Sequence, residues 1–337
     1  MVTLAEVAKA AGVSMMTVSN ALNGKSTVAA KTRERVLRIA DDLGYRANAR
    51  AQSLRSGRTW AIGLAIPELD MPFPAHFAAE VTSAAARRGL GVIVQQTGSD
   101  PEKERAIIHG VPTSLVDGVI VSALGADIRA LEQELKHRRV VLFDESITET
   151  YLDLVCSPNR EGAAAACRHL VERGCRRIGV VGTNDEPMPP GALAPTSESR
   201  FLGAVEELRD NHPHVEVIGI SATWTPLDAR RAVVEAIDAG VEFDGLFCLT
   251  DSMALGALRG LADRGLRCPE DVKIVGFDGI AEGAYSVPTL STIDLGVTSL
   301  AEAAVDMLVD RIEHQDDERE GRRMVANFTL VERESSR

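Results

Sequence analysis

The sequence predicts a small all-α helix-turn-helix head followed by an α/β core of two lobes, each built on a doubly wound parallel sheet. Three observations carry this. Residues 4–22 read as helix, turn, helix. From residue 60 onward, short β-branched runs alternate with alanine-rich helical stretches, and the alternation runs through two series. The runs are apolar throughout, which is the pattern of strands covered by helices on both faces of a parallel sheet.

In the head, "LAEVAKAAGVSMMTVSNAL" takes its turn from Gly12, a cap for the second helix from Ser14, and a close helix crossing from the small Ala8. A third helix is expected from about Ala30, with Val36, Leu37, Ala40 and Leu43 as its apolar stripe and an end near Gly44. In the first lobe the strands are expected at 61–66, 90–96, 117–124 and 138–145, with helices near 75–88, 101–115 and 126–137. In the second they fall at 176–182, 215–221, 244–250 and 272–278, with helices near 160–173, 198–210, 226–239 and 252–264. The domains follow as a head over 1–46, a linker over 47–58 and a core over 59–337.

The 337 residues, 45% of them apolar, suffice for about two domains with a sizeable core. No basic segment with an apolar h-region opens the chain, and no run nears the ~18 apolar residues of a membrane span, so a cytoplasmic, nucleoid-associated protein is expected. Five cysteines without a C-x-x-C pair read as buried reduced thiols. The net charge of −12 divides unevenly, because residues 1–58 hold ten Lys/Arg against four acids while the remainder is strongly acidic. A basic head on an acidic body fits a polyanion at the head alone.

A cleft bordered by the carboxyl ends of parallel strands is where this architecture binds small molecules. Enzymes and receptors share it. The first βα turn, "AIPELDMPFP", carries neither a dinucleotide fingerprint nor a phosphate loop, and no G-x-S-x-G elbow is present. The histidines lack metal-ligand spacing, His212 and His214 flank a proline in a polar loop, and Asp251 reads as a helix N-cap. No catalytic residue, metal or cofactor is therefore expected. An α/β enzyme is the weakest reading; a small-molecule binding protein without specific DNA activity is the chief alternative to a DNA-binding regulator.

Stepping about 100° per residue along the second head helix puts Val18, Ala21 and Leu22 on one face and Met16 and Asn20 on the opposite one. Met15 and Ser19 fall at one edge of the core face and Thr17 at the other. Met16 is not core, whereas Met15 could be shared between core and surface.

"VTLAEVAKAAGVSMMTVSNALNG", "VAAKTRERVLRIADDLGYRANARAQSLRSGRT", "VDGVIV", "HLVERGCRRIGVVG", "RCPEDVKIVGFDG" and "LVERESS" together resemble the lactose/galactose-repressor family of bacterial transcription factors, in family order and across essentially the whole chain. The resemblance implies a homodimer on a pseudo-palindromic operator, with Met15, Met16 and Asn20 at base-reading positions and Ser14, Thr17 and Ser19 on phosphates. It further implies a hinge over 48–55 that becomes helical on DNA, Leu54 wedging the minor groove beside Ala51. Ala47 stands where many members have proline.

The core then resembles a periplasmic-sugar-binding-protein fold whose lobes exchange strands near the end: 289–295 would cross to the first lobe and 326–332 return to the second. This gives a first lobe of about 59–156 and 290–321, and a second of about 157–289 and 322–337. The resemblance lines the cleft with Asp70, Phe73, Thr196, Arg200, Trp224 and Asp278. Their chemistry fits a polar effector, carbohydrate or nucleoside-like, with Arg200 and Asp278 bonding hydroxyls or a carboxylate and the aromatics packing on a flat face. Thr250, Pro158, Leu295 and Pro74 depart from common family residues. The tail "VERESSR" carries no long heptad extension, so a dimer is expected rather than a tetramer.

Overall fold

The first helix starts on a cap supplied by its own sequence. In the computed structural model, which describes residues 2–22, 27–45, 58–110, 115–122, 139–143, 152–183, 196–314 and 320–337, Thr3 Oγ1 accepts from the Glu6 backbone N–H at 3.3 Å. The Glu6 carboxylate accepts in return from the Thr3 N–H at 2.7 Å, a reciprocal capping box that opens α1 (Leu4–Ala11). Gly12 ends α1 at a left-handed φ of 63°. Ser14 Oγ then accepts from the Thr17 N–H at 3.1 Å at the start of α2 (Met15–Leu22), and α3 spans Ala30–Asp42.

Val7, Ala8, Ala11, Val18, Ala21, Val36 and Ala40 close the head core. Leu37 and Leu43, expected in the α3 stripe, are exposed instead. Leu37 is turned about 100° from Val36, so Ile39 joins the seam in its place. Leu43 is the C-cap residue, where the chain leaves the helix, and Tyr45 packs on the core beyond it.

The chain divides into compact units of residues 1–59 and 60–337. In the larger unit, β1 (Ala61–Ile66), α4 (Pro72–Arg87), β2 (Gly91–Gln96), α5 (Pro101–Gly110), β3 (Val119–Val121), β4 (Val140–Phe143) and β5 (Asp153–Cys156) build the first lobe. The second follows with α6 (Asn159–Glu172), β6 (Arg177–Thr183), α7 (Thr196–Asn211), β7 (Glu216–Ser221), α8 (Pro226–Asp238), β8 (Gly245–Cys248), α9 (Asp251–Asp263), β9 (Lys273–Asp278) and β10 (Ser291–Asp294). Then come α10 (Val297–Glu313), β11 (Arg323–Val325) and β12 (Thr329–Val331).

The sheets run β2-β1-β3-β4-β5-β11 and β7-β6-β8-β9-β10-β12, parallel throughout except for β12 against β10. Both are doubly wound, with β1 and β6 flanked on each side by later strands. The central strands β3, β8 and most of β9 are buried, as their apolar runs predict, but β2 and β7 are edge strands with several exposed residues. An apolar run alone does not distinguish a sheet's edge from its centre.

Two features differ from the sequence reading. β5 has no counterpart among the expected strands. It is short and begins on Asp153, a fully buried aspartate whose charge is met by Arg311 and Arg322 at 2.9 and 2.7 Å. The outward crossing between lobes also falls elsewhere, because β10 pairs in parallel with β9 and belongs to the second sheet while β11 pairs with β5 in the first; the return ahead of β12 lies within the expected 326–332. The chain therefore crosses after Asp294, runs α10 against α4, β4 and β5, and returns between β11 and β12. Ser291, Thr292 and Ile293 are all buried, an apolar and small-residue fit between β9 and β12 that the sequence of β10 alone does not reveal.

Candidate functional site

The head exposes one surface of α2. Met15 and Met16 are 56% and 70% exposed, and neither joins the apolar core formed by Val18 and Ala21. Exposing two methionines side by side leaves apolar area in water at a cost of about 1–2 kcal/mol each, which the fold itself does not require. Asn20, Thr17 and Ser19 are half-buried on the flanks, and the Ser14 and Thr17 hydroxyls lie 2.9 Å apart. Ala51 and Leu54, with the rest of the expected hinge up to residue 57, lie outside the described residues.

In the core, the carboxyl ends of the second-lobe strands converge on one guanidinium. Arg200, at the start of the second turn of α7, is 3% exposed. Its Nε donates to Asn159 Oδ1 at 2.6 Å, at the start of α6. Its Nη1 donates to the Leu249 carbonyl just after β8 and lies 3.0 Å from Asp278 Oδ1 at the end of β9. The Phe277 ring lies 3.9 Å from the guanidinium carbon and the Trp224 ring, just after β7, 5.4 Å from it. Cation–π attraction and a buried carboxylate thus hold a desolvated cation.

Burial pushes the Asp278 carboxyl up to about 6, against the pull of Arg200. Asp251, fully buried nearby, is held well above the usual carboxylate range by burial first and by the charge of Asp278 second. Among the described residues, the Asn159 side-chain amide Nδ2, on a residue 3% exposed, has no hydrogen-bond partner. A buried donor left unmade costs about 1–3 kcal/mol, so it is a group that a polar ligand would satisfy.

Of the expected cleft residues, the structure brings Arg200, Trp224 and Asp278 into one cage. Thr196 begins α7 one turn before Arg200. Asp70 is exposed, and Phe73 packs on the first lobe, its ring 6.3 Å from that of Phe143. Among the described residues no hydrogen bond, ion pair or ring contact joins these two to the cage. The charge of Arg200 is met within the protein by Asp278, with Nε turned to Asn159 and Nη1 to the Leu249 carbonyl. Asp251 is the first residue of α9 and not its cap: Thr250 Oγ1 accepts from the Met253 N–H at 3.1 Å. Sequence reasoning missed Asn159, the Leu249 carbonyl, Phe277 and Asp251 as partners. A backbone carbonyl carries no side-chain signal, but the Asp-Ser-Met and Phe-Asp-Gly stretches after two buried strands mark where to look.

A three-helix head with an exposed apolar surface on its second helix, and a two-lobed α/β core with a polar cage at its strand ends, define the class of ligand-responsive DNA-binding regulators. Residues 3–48 match the model for bacterial regulatory proteins of the lacI family, and residues 167–336 match the periplasmic binding protein-like domain. The chain belongs to the LacI family. It is 32% identical to the ribose operon repressor of Halalkalibacterium halodurans over 93% of this chain and 91% of that protein. Among solved structures it is similar to the lac repressor dimer bound to operator and an anti-inducer (TM-score 0.83, 25% identity, 99% of each chain). It is also similar to a LacI family regulator from Enterococcus faecium with bound ribose (TM-score 0.68, 25% identity, 82% of this chain and 98% of that one). Among the described residues no helix is long and apolar enough to cross a membrane, and no group of three or more His, Cys, Asp or Glu is placed to hold a metal ion.

Proposed function

We propose that this chain is a transcriptional repressor that binds a pseudo-palindromic operator as a homodimer, its affinity set by a neutral polyhydroxylated effector, a carbohydrate or nucleoside, in the inter-lobe cleft. The observation that carries the effector class is the pairing of Arg200 with Asp278 at 3.0 Å. A carboxylate or phosphate ligand would compete with Asp278 for the guanidinium and sit against a buried like charge. Hydroxyl groups have no such conflict. They can accept from Asn159 Nδ2 and donate to Asp278 while their C–H face packs on Trp224. Asp70, Phe73 and Thr196 complete the lining in this reading.

At the head, Met15, Met16 and Asn20 read bases, the methionines by apolar contact with thymine methyl groups and Asn20 by pairing with an adenine edge. Ser14, Thr17 and Ser19 bear on phosphates, and Leu54 beside Ala51 enters the minor groove. Catalysis is no part of this function, and its place is the cytoplasm, on the nucleoid.

Operator titration tests this reading, with ribose and other neutral sugars, nucleosides, and the matching sugar phosphates as additions. Neutral compounds are expected to change operator affinity, in either direction, while the phosphates do not. If sugar phosphates act and no neutral compound does, the effector class is wrong.

A further inference from the structure

Asp278 adopts a backbone conformation that aspartate rarely takes. Its φ of 116° lies beyond the small left-handed well open to non-glycine residues, and such a residue persists only where its surroundings over-determine it. Asp251 Oδ2 accepts from the Ile280 backbone N–H at 2.9 Å. Thr292 Oγ1, on β10, accepts from the Gly279 N–H at 3.3 Å. Asp251 Oδ1 is packed on Gly276, where a Cβ would come within 2.1 Å of it.

Asp251 therefore holds the turn after β9 through Oδ2, while Oδ1 rests in van der Waals contact on Gly276, with no hydrogen-bond partner among the described residues. Its neighbour Leu249 meanwhile accepts from Arg200. The short segment Leu249–Asp251 thus grips both members of the cage, Arg200 through a carbonyl and Asp278 through the turn. The charged groups facing that turn are Arg200 from α7, Asp251 from α9, and Asp294 from β10, whose Cα lies 2.9 Å from where a Gly279 Cβ would stand.

We propose that Asp251 is a positioning residue of the effector site: its carboxyl holds the 278–280 turn in the conformation that aims Asp278 at Arg200, without itself touching the ligand. The consequence for ligand affinity rests on the function proposed above, whereas the positioning of Asp278 does not. Because burial drives Asp251 toward its neutral form, an amide oxygen can take over its bond to Ile280. Asp251→Asn should preserve the cage and Asp251→Ala should lose it.

The test uses the full chain with Trp60→Phe, which leaves Trp224 as the single tryptophan. Trp224 emission followed from pH 4.5 to 8 should show a transition near 6, where Asp278 takes up its proton, and Asp278→Asn should abolish it. Asp251→Asn should retain that transition. Asp251→Ala should lower its midpoint by about one unit or more, as Asp278 swings toward water. Thr292→Val, which removes the other tether without changing shape, should move the midpoint the same way by less. An unshifted midpoint in a folded Asp251→Ala protein overturns the proposal; if that variant does not fold, an unshifted midpoint in Thr292→Val does so. The two readings fail separately, since an operator complex deaf to every neutral compound counts against the effector and not against the role of Asp251.

Discussion

Gly203→Ala is the perturbation whose consequence can be worked furthest. On α7, a Cβ at Gly203 would lie 2.3 Å from the Arg160 carbonyl oxygen and 2.6 Å from its Cα, while Cβ contacts in proteins essentially never fall under 3.0 Å. Both obstacles are backbone, so no rotamer change relieves them. The two helices must part by roughly 0.7 Å or more at this crossing. Gly203 is one turn beyond Arg200, and Arg160 follows Asn159, so the separation acts directly on the Arg200–Asn159 bond. From 2.6 Å that bond stretches past roughly 3.2 Å, the limit of a good N–H···O contact.

Alanine recovers about 1 kcal/mol of helix propensity over glycine, and overpacking costs about 1–3 kcal/mol. A net loss of up to about 2 kcal/mol follows, measurable by urea unfolding, together with a weakened effector response in operator titration. Gly256→Ala is the control. Its Cβ would meet the Pro226 carbonyl at 2.1 Å between α8 and α9, so it should lose similar stability but leave the Arg200–Asn159 bond in place. A Gly203→Ala protein as stable as the parent, with its effector response intact, would refute the claim that this helix crossing sets the cage.

Three further outcomes follow from other parts of the molecule. Met16→Ala should relax base preference at one or two positions per half-site in a selection experiment, whereas loss of a head lysine or arginine should weaken all sequences alike and reduce the salt dependence; uniform weakening by Met16→Ala would deny it a reading role. Asp153→Asn leaves Arg311 and Arg322 facing a site without its buried charge and should cost about 3 kcal/mol in urea unfolding. His169, buried with Nε2 2.7 Å from Ser336 Oγ, has its pKa lowered, chiefly by burial. Its folded value lies below its unfolded one, so its contribution is complete above the unfolded pKa and is lost as pH falls through the folded one. The loss has a slope of at most about 1.4 kcal/mol per pH unit. Unfolding at pH 7.5 and 5.5 should show that loss in the parent and a smaller one in His169→Gln.

The head and the order of the α/β units were legible because their signals are local. Gly12 at a positive φ, Ser14 at a helix start, and apolar runs of strand length each reflect chemistry within a few residues. Helical periodicity alone placed Met16 off the core face, and its exposure agrees. What was not legible depends on distant pairing. β10 joins the second sheet through β9 and β12, and β5 is sustained by arginines far along the chain. Nor does any local pattern show that Arg200 spends its donors on Asp278, Asn159 and the Leu249 carbonyl. Arg200 and Asp278, read from the sequence as two separate polar groups of the lining, face each other as an ion pair.

Unbiased selection of duplex DNA with the purified full chain decides whether the protein is a two-fold symmetric regulator that reads bases through α2. The selection should recover an inverted repeat whose half-sites lose definition at one or two positions when it is repeated with Met16→Ala. An asymmetric consensus, or a pool without any consensus, would contradict this reading.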